Sequence, residues 1–267
     1  MAGQRPAAPN PRGAHFLRDH ALISQLVRAS GACPGRLVLD LGAGHGAITT
    51  VLAASGARVI AVERDPQAVR GLRRRLARSP QVSVVAADLR EIPLPRRQFL
   101  VVANIPFSVS TALLRKLAGD PSVPFAGAEL ITGWGAARGF TRAVPRNAEL
   151  AWWAARYQIR IVRRVAPQSF APPPRAEAAY LSIRPRALTA SPSGQRLLRR
   201  MLRAAYRSPQ RPAQQILPGL AASDGGLLSR TTVRLALSQV GGDPRAPATW
   251  LTASQWHRLT MLLADSR

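Results

Sequence analysis

The sequence predicts a doubly wound α/β domain followed by a small all-helical one. Three observations carry this. Strand-like and helix-like segments alternate from about residue 22 to residue 184. The first strand runs straight into a glycine-rich turn, Asp40-Leu41-Gly42-Ala43-Gly44-His45-Gly46. Beyond about residue 187 only helical patterns remain. Such alternation builds a mainly parallel sheet with helices on both faces.

The elements follow in order. Residues 21–29 have a helical pattern, and residues 37–41 form a short apolar run ending at glycines, as buried parallel strands do. Residues 48–54 read as a helix and residues 58–62 as the second strand. Residues 66–78 read as a basic helix with Pro66 in its first turn. Residues 82–86, 99–103 and 128–132 are further strands, and residues 157–165 and 178–183 are expected to close the domain as an antiparallel pair. Residues 193–206, 231–240 and 252–264 read as helices joined by Gly, Pro and Ser. The expected organisation is therefore a disordered basic arm over residues 1–14, a catalytic domain over 15–187 and a helical domain over 188–267. The last is small for a self-sufficient core.

Charge narrows the function. There are 38 Lys plus Arg against 13 Asp plus Glu, a formal net charge of +25, and Lys116 is the single lysine. An Arg bias alone does not explain the shortage of acids. Self-repulsion on this scale brings nothing to an enzyme acting on a small neutral molecule, whereas a polyanion-binding protein gains affinity through counterion release. Cys33 is the only cysteine, which excludes an intrachain disulfide framework or a cysteine zinc site and fits a reducing cytoplasm. His15, His20, His45 and His257 lack metal-ligand spacing, so no metal is expected. The N-terminus has prolines and no apolar core, unlike a signal peptide. No apolar run is long enough to span a membrane, so no membrane partner is expected.

The chemistry-bearing residues sit at strand ends. Glycines at 42, 44 and 46 let the backbone approach a ligand closely at a tight turn. Glu63 ends the second strand, where an acid can bind both ribose hydroxyls. Asp88 follows the third strand, where a carboxylate can accept from an adenine amine. A dinucleotide-binding fold is the main rival. Its G-x-G-x-x-G fingerprint places the third glycine one residue later than Gly46, and the shorter form suits S-adenosylmethionine better. The fourth strand ends in Asn104-Ile105-Pro106-Phe107. The Asn104 side-chain carbonyl and the Ile105 backbone carbonyl offer two close acceptors for an aromatic amine. Pro106 stiffens the turn, and Phe107 offers a face on which a base can stack.

At these residues the chain resembles the ribosomal RNA adenine dimethyltransferases, both the Erm resistance methyltransferases and the small-subunit branch. Asn104-Ile105-Pro106-Phe107-Ser108-Val109-Ser110-Thr111 is similar to the family's Asn-Ile/Leu-Pro-Tyr-Asn-Ile-Ser-Thr. Gly13-Ala14-His15-Phe16-Leu17 looks like its first cofactor motif. Gln168-Ser169-Phe170-Ala171-Pro172-Pro173-Pro174-Arg175 looks like its Phe-x-Pro-x-Pro loop. The resemblance implies a Rossmann-like class I methyltransferase domain with a seven-stranded sheet and a helical C-terminal lobe. It implies S-adenosylmethionine as cofactor, with His15 and Leu17 at the methionine end, Gly42 and Gly44 beneath, Glu63 on the ribose and Asp88 on the adenine. Asn104 would border the cofactor and hold the target amine, and Phe107 and Phe170 would sandwich the flipped base. Ala14 stands where the family usually has Gln, and Phe107 where it usually has Tyr.

The Arg-rich chain and the Asn-Ile-Pro form favour the Erm branch. That branch implies one or two methyl groups on N6 of a 23S rRNA adenine and macrolide-lincosamide-streptogramin resistance. A 16S rRNA dimethyltransferase and a non-catalytic RNA-binding protein of the same fold are the alternatives. A DNA adenine methyltransferase fits the octapeptide and the C-terminal helices less well. Arg70, Arg73 and Arg74 on one helix and Arg199, Arg200 and Arg203 on another are the candidate RNA contacts. The five tryptophans, Trp134, Trp152, Trp153, Trp250 and Trp256, read as core or domain-contact residues. The chain is expected to act as a cytoplasmic monomer.

Overall fold

The computed structural model describes residues 15–186, 191–220 and 226–264. The expected N-terminal arm lies outside them. The first element is a two-residue strand, β1 (Phe16–Leu17), followed by α1 (His20–Ser30). Asp19 caps α1 by accepting from the Leu22 amide at 3.0 Å, and Gly31 ends it in the left-handed conformation. Strand β2 (Leu37–Leu41) is buried throughout, as a central parallel strand must be. The chain continues through α2 (Ala47–Ala54), β3 (Arg58–Glu63), α3 (Pro66–Arg75), β4 (Val82–Ala86) and β5 (Phe99–Asn104).

Next come α4 (Ser110–Ala118), β6 (Phe125–Gly133), α5 (Trp134–Phe140), α6 (Ala148–Arg156) and β7 (Tyr157–Val165). Strands β8 (Phe170–Ala171) and β9 (Ala178–Pro185) complete the β structure. The main sheet has seven strands in the order β4-β3-β2-β5-β6-β9-β7. Strands β2 to β6 pair in parallel, and β9 runs antiparallel to β6. This is the doubly wound fold the sequence predicts. The chain winds outward from β2 to β4, then returns to place β5 on the other side of β2. Ligands bind at such a reversal, at the carboxyl ends of the flanking strands.

Four helices escape the sequence reading. Helix α4 buries Leu113, Leu114, Leu117 and Ala118. Helices α5 and α6 lie in the segment between two expected strands, and α8 (Ala213–Ile216) is a single turn. The basic helix is shorter than expected: α3 ends at Arg75, with Leu76 as its cap.

The chain divides into two compact units, one of Met1–Ala137 with Arg160–Ile183, the other of Arg138–Ile159 with Arg184–Arg267. Packing thus draws the division differently from a cut near residue 187. The second unit takes in α6 as well as α7 (Pro192–Arg207), α9 (Arg230–Gln239) and α10 (Ala253–Ala264). The reason is apolar area. Helix α6 carries Trp152 and Trp153, and it packs with α7 and α10. Trp153 on α6 and Trp256 on α10 are fully buried. Trp250, read as a core or domain-contact residue, is 65% exposed.

Candidate active site

The glycine turn after β2 adopts positive φ at three positions, Gly42 (83°), Gly44 (54°) and Gly46 (85°), a region that side chains other than glycine avoid. Space is also limiting. A Cβ on Gly44 would lie 2.9 Å from the Phe16 ring, and one on Gly46 would lie 2.6 Å from Leu72. A Cβ on Gly42 would meet the Asn104 carbonyl, Leu89 and Pro106 at 3.8–3.9 Å, so the glycine turn and the Asn104 turn are direct neighbours.

Glu63 closes β3 beside that turn. Its Oε2 accepts from the Gly44 amide at 2.8 Å, and its Oε1 accepts from the amides of Arg64 and Asp65 at 2.8 and 2.9 Å. Three backbone donors thus hold the carboxylate in place. Asp88 is already paired. Arg90 meets it in a fork, Nε on Oδ1 at 3.0 Å and Nη2 on Oδ2 at 2.7 Å, and Arg64 stands 3.8 Å away. Hydrogen bonds from the Arg90 side chain and amide hold the Asp88 carboxyl down at about 2.

Asp40, at the foot of the glycine turn, is fully buried. Thr49 Oγ1 donates to its Oδ2 at 2.6 Å, while Oδ1 has no hydrogen-bond partner. Burial pushes the carboxyl up to about 7, and the Glu63 carboxylate adds to the rise. Glycine clearance, an anchored acid and an orphaned buried oxygen at one strand tip fit a ligand that brings hydroxyls and positive charge. S-adenosylmethionine has both. Gly42, Gly44 and Glu63 are the residues placed to hold it.

Asn104 ends β5 at 104, paired in register with Ile131 of β6. Its Nδ2 donates to the His15 carbonyl at 2.7 Å. A carbonyl can only accept, so the amide orientation is fixed and Oδ1 is left as the acceptor. His15 is itself held, its Nδ1 donating to the Pro172 carbonyl at 2.9 Å. The antiparallel pairing of β1 with β8, Phe16 opposite Ala171 and Leu17 opposite Phe170, brings these segments together. Phe107 is half-buried, its ring 6.5 Å from that of His15. Gly133 sits against it, since a Cβ there would lie 3.1 Å from the Phe107 ring. Pro106 is exposed and Ile105 buried.

Two expected contacts are placed elsewhere. Phe170 has no exposed surface. It packs in the core with Leu22, Ile23, Leu26 and Tyr180, so its ring offers no face to a base in this conformation. Leu17 is 5% exposed in the same core. A two-residue strand alternates its faces, and here the buried face takes Leu17 and its partner Phe170. Sequence reasoning also missed Arg90, Thr49 and Phe16. Among the arginines, Arg70, Arg73 and Arg74 lie exposed on α3. Arg203 is exposed on α7, Arg200 is half-buried, and Arg199 stacks on Trp152 with its Cζ 4.6 Å from the ring. Among the described residues no helix is long and apolar enough to cross a membrane.

Residues 10–220 match the family model for ribosomal RNA adenine dimethylase. An rRNA adenine N-6-methyltransferase of Bacillus licheniformis is 34% identical over 67% of the chain, and the match spans 62% of that relative's length. A ribosomal RNA small subunit methyltransferase A of Synechococcus sp. is 31% identical over 96% of the chain and 94% of the relative. The crystal structure of the 23S rRNA methyltransferase ErmE superposes with a TM-score of 0.77 at 24% identity, covering 94% of this chain and 100% of that one. A dimethyladenosine transferase from Plasmodium falciparum gives 0.67 at 17% identity, covering 92% and 96%. These two share the fold.

Two measurements check the site. Asp40 has a raised carboxyl pKa in the folded state, so its contribution to stability is fully present below about 4 and is lost as pH rises toward about 7. Urea unfolding from pH 4 to 8 is expected to show that decline in the wild type, and Asp40→Asn is expected to remove it. Phe170→Ala is expected to cost about 3–5 kcal/mol in the same assay, as truncation of a buried aromatic does. An effect confined to turnover would instead return Phe170 to the base-binding role. By its match to the family model over residues 10–220, most of its length, this chain belongs to the ribosomal RNA adenine dimethylase family.

Proposed function

We propose that the chain transfers methyl groups from S-adenosylmethionine to N6 of an adenine in ribosomal RNA, and that the RNA is 23S. The observation that carries the reaction type is the Asn104 amide. Its Nδ2 donates to the His15 carbonyl, which leaves Oδ1 to accept from the target amine beside the glycine turn. S-adenosylmethionine supplies an electrophilic methyl group on a sulfonium centre. The protein's part is placement and charge. Asn104 Oδ1 draws in an N6 proton and turns the nitrogen lone pair toward the methyl donor. As the new N–C bond forms and the methyl–sulfur bond breaks to leave a neutral thioether, positive charge would grow on that nitrogen, and the amide oxygen would stabilise it. The methylated nitrogen is then acidic enough to release its proton to water without a strong base. Phe107 supports the adenine ring, replacing part of the stacking lost when the base leaves its neighbours.

The 23S reading rests on the Arg-rich chain, the Asn-Ile-Pro form of the motif and likeness to the Erm branch. Methylation in the drug-binding region would then confer macrolide-type resistance. The full-length match to small-subunit methyltransferases supports a second reading, 16S rRNA. We place the chain in the cytoplasm as a monomer under either reading. Incubation with radiolabelled cofactor and naked 23S or 16S rRNA, followed by mapping of the labelled base, separates the two. Label in 16S alone would overturn the 23S assignment.

Asn104→Ala is expected to abolish transfer while leaving cofactor affinity within a few-fold of wild type, by calorimetry. Phe107→Ala is expected to lower kcat/KM on RNA by about 5- to 100-fold, the range of one lost base stack, and Phe107→Tyr by far less.

A further inference from the structure

The glycine turn and Asn104 leave a second arrangement at the carboxyl end of β6 unexplained. Trp134 directly follows Gly133, the residue packed on Phe107. Arg164, on β7, lays its guanidinium over the Trp134 indole, Cζ 4.3 Å from the ring centroid. Arg164 Nη1 also donates to Glu177 Oε1 at 3.0 Å, and the Trp134 amide donates to the Glu177 carbonyl at 2.8 Å. Three residues from separate segments are tied into one stack.

Stability does not account for it. The side chains of Arg164 and Glu177 are 64% and 57% exposed, and an ion pair so open to water contributes little. The arrangement does orient a flat cation. The guanidinium carbon lies over the Trp134 ring and Nη1 is held by Glu177, while most of the Arg164 side chain stays open to solvent. Unpaired bases stack on aromatic rings and on arginine planes alike, and a cation there also attracts the adjoining phosphates. The stack begins one residue from the glycine against which Phe107 packs.

We propose that Arg164, backed by Trp134 and steered by Glu177, is the platform for the unpaired nucleotide next to the target adenine. Extruding one base leaves its neighbour without a stacking partner, and the Trp134–Arg164 stack supplies one. The platform rests on the reading that the Asn104 crevice takes an extruded adenine. It does not depend on whether the RNA is 23S or 16S.

The test uses a short hairpin from whichever rRNA the full chain methylates, made with the flanking base either present or replaced by an abasic site. On the intact hairpin, Arg164→Ala and Trp134→Ala are expected to raise KM about 10-fold with cofactor affinity unchanged. Arg164→Lys keeps the charge but loses the plane, and is expected to behave like Arg164→Ala. Glu177→Gln is expected to have a smaller effect in the same direction. On the abasic hairpin the wild type is expected to lose the same factor, and the variants nothing further. Equal losses on both hairpins, or full rescue by Arg164→Lys, would overturn the platform while leaving the adenine reading intact. Absence of transfer to any rRNA by the wild type would remove the adenine reading, and the platform with it.

Discussion

The hydrogen bond from the Asn104 amide to the His15 carbonyl fixes the orientation of the amide on which the proposed chemistry depends. A primary amide has a donor end and an acceptor end that differ little in shape, and only the partner decides which end faces a ligand. Here the partner is a backbone carbonyl. That carbonyl belongs to a residue whose ring is bonded to Pro172, next to a short strand paired with β8. The N-terminal segment and the loop after β7 thus act together to aim one oxygen atom. Substitutions that loosen β1 from β8 should therefore damage turnover without touching any residue that meets the substrate.

Much of the rest follows from where the sheet reverses. Strand β2 has β3 on one side and β5 on the other, so the glycine turn, Glu63 and Asn104 leave neighbouring strands at the same end. None of these groups needs a long or flexible side chain to reach the centre. Their precision comes from the buried strands behind them, where Leu39, Val101 and Val102 are fully enclosed. The acids are differentiated by surroundings alone. Asp88 meets an arginine fork and stays ionised, while Asp40 sits dry with one oxygen unpaired and holds its proton toward neutrality.

The sequence was legible wherever local pattern and function coincide. Apolar runs ending at Gly42, Glu63 and Asn104 announced the strands and the end of the sheet at which their turns meet. It was less legible where the answer depends on which way a side chain turns. Leu17 and Phe170 lie in segments of the right kind, yet two-residue strands have no periodicity from which to read a buried face. Helices α5 and α6 were hidden by Gly135, Gly139 and Pro145, which read as punctuation. The fork between Arg90 and Asp88 and the stack of Arg164 on Trp134 join residues by geometry, and an arginine-rich composition gives no means of choosing among candidates.

The outermost strands of the main sheet, β4 and β7, carry a consequence of their own. An uncovered edge is a template on which a second chain can add a strand. On β4, the Arg73 guanidinium reaches the Val84 carbonyl at 3.5 Å; on β7, Arg160, Arg163 and Arg164 are exposed. Cations suited to attract a nucleic acid thus also guard the sheet against self-association. Neutralising them to reduce non-specific RNA binding would unmask both margins, so a less basic version of this chain would exchange stickiness toward polyanions for a tendency to aggregate.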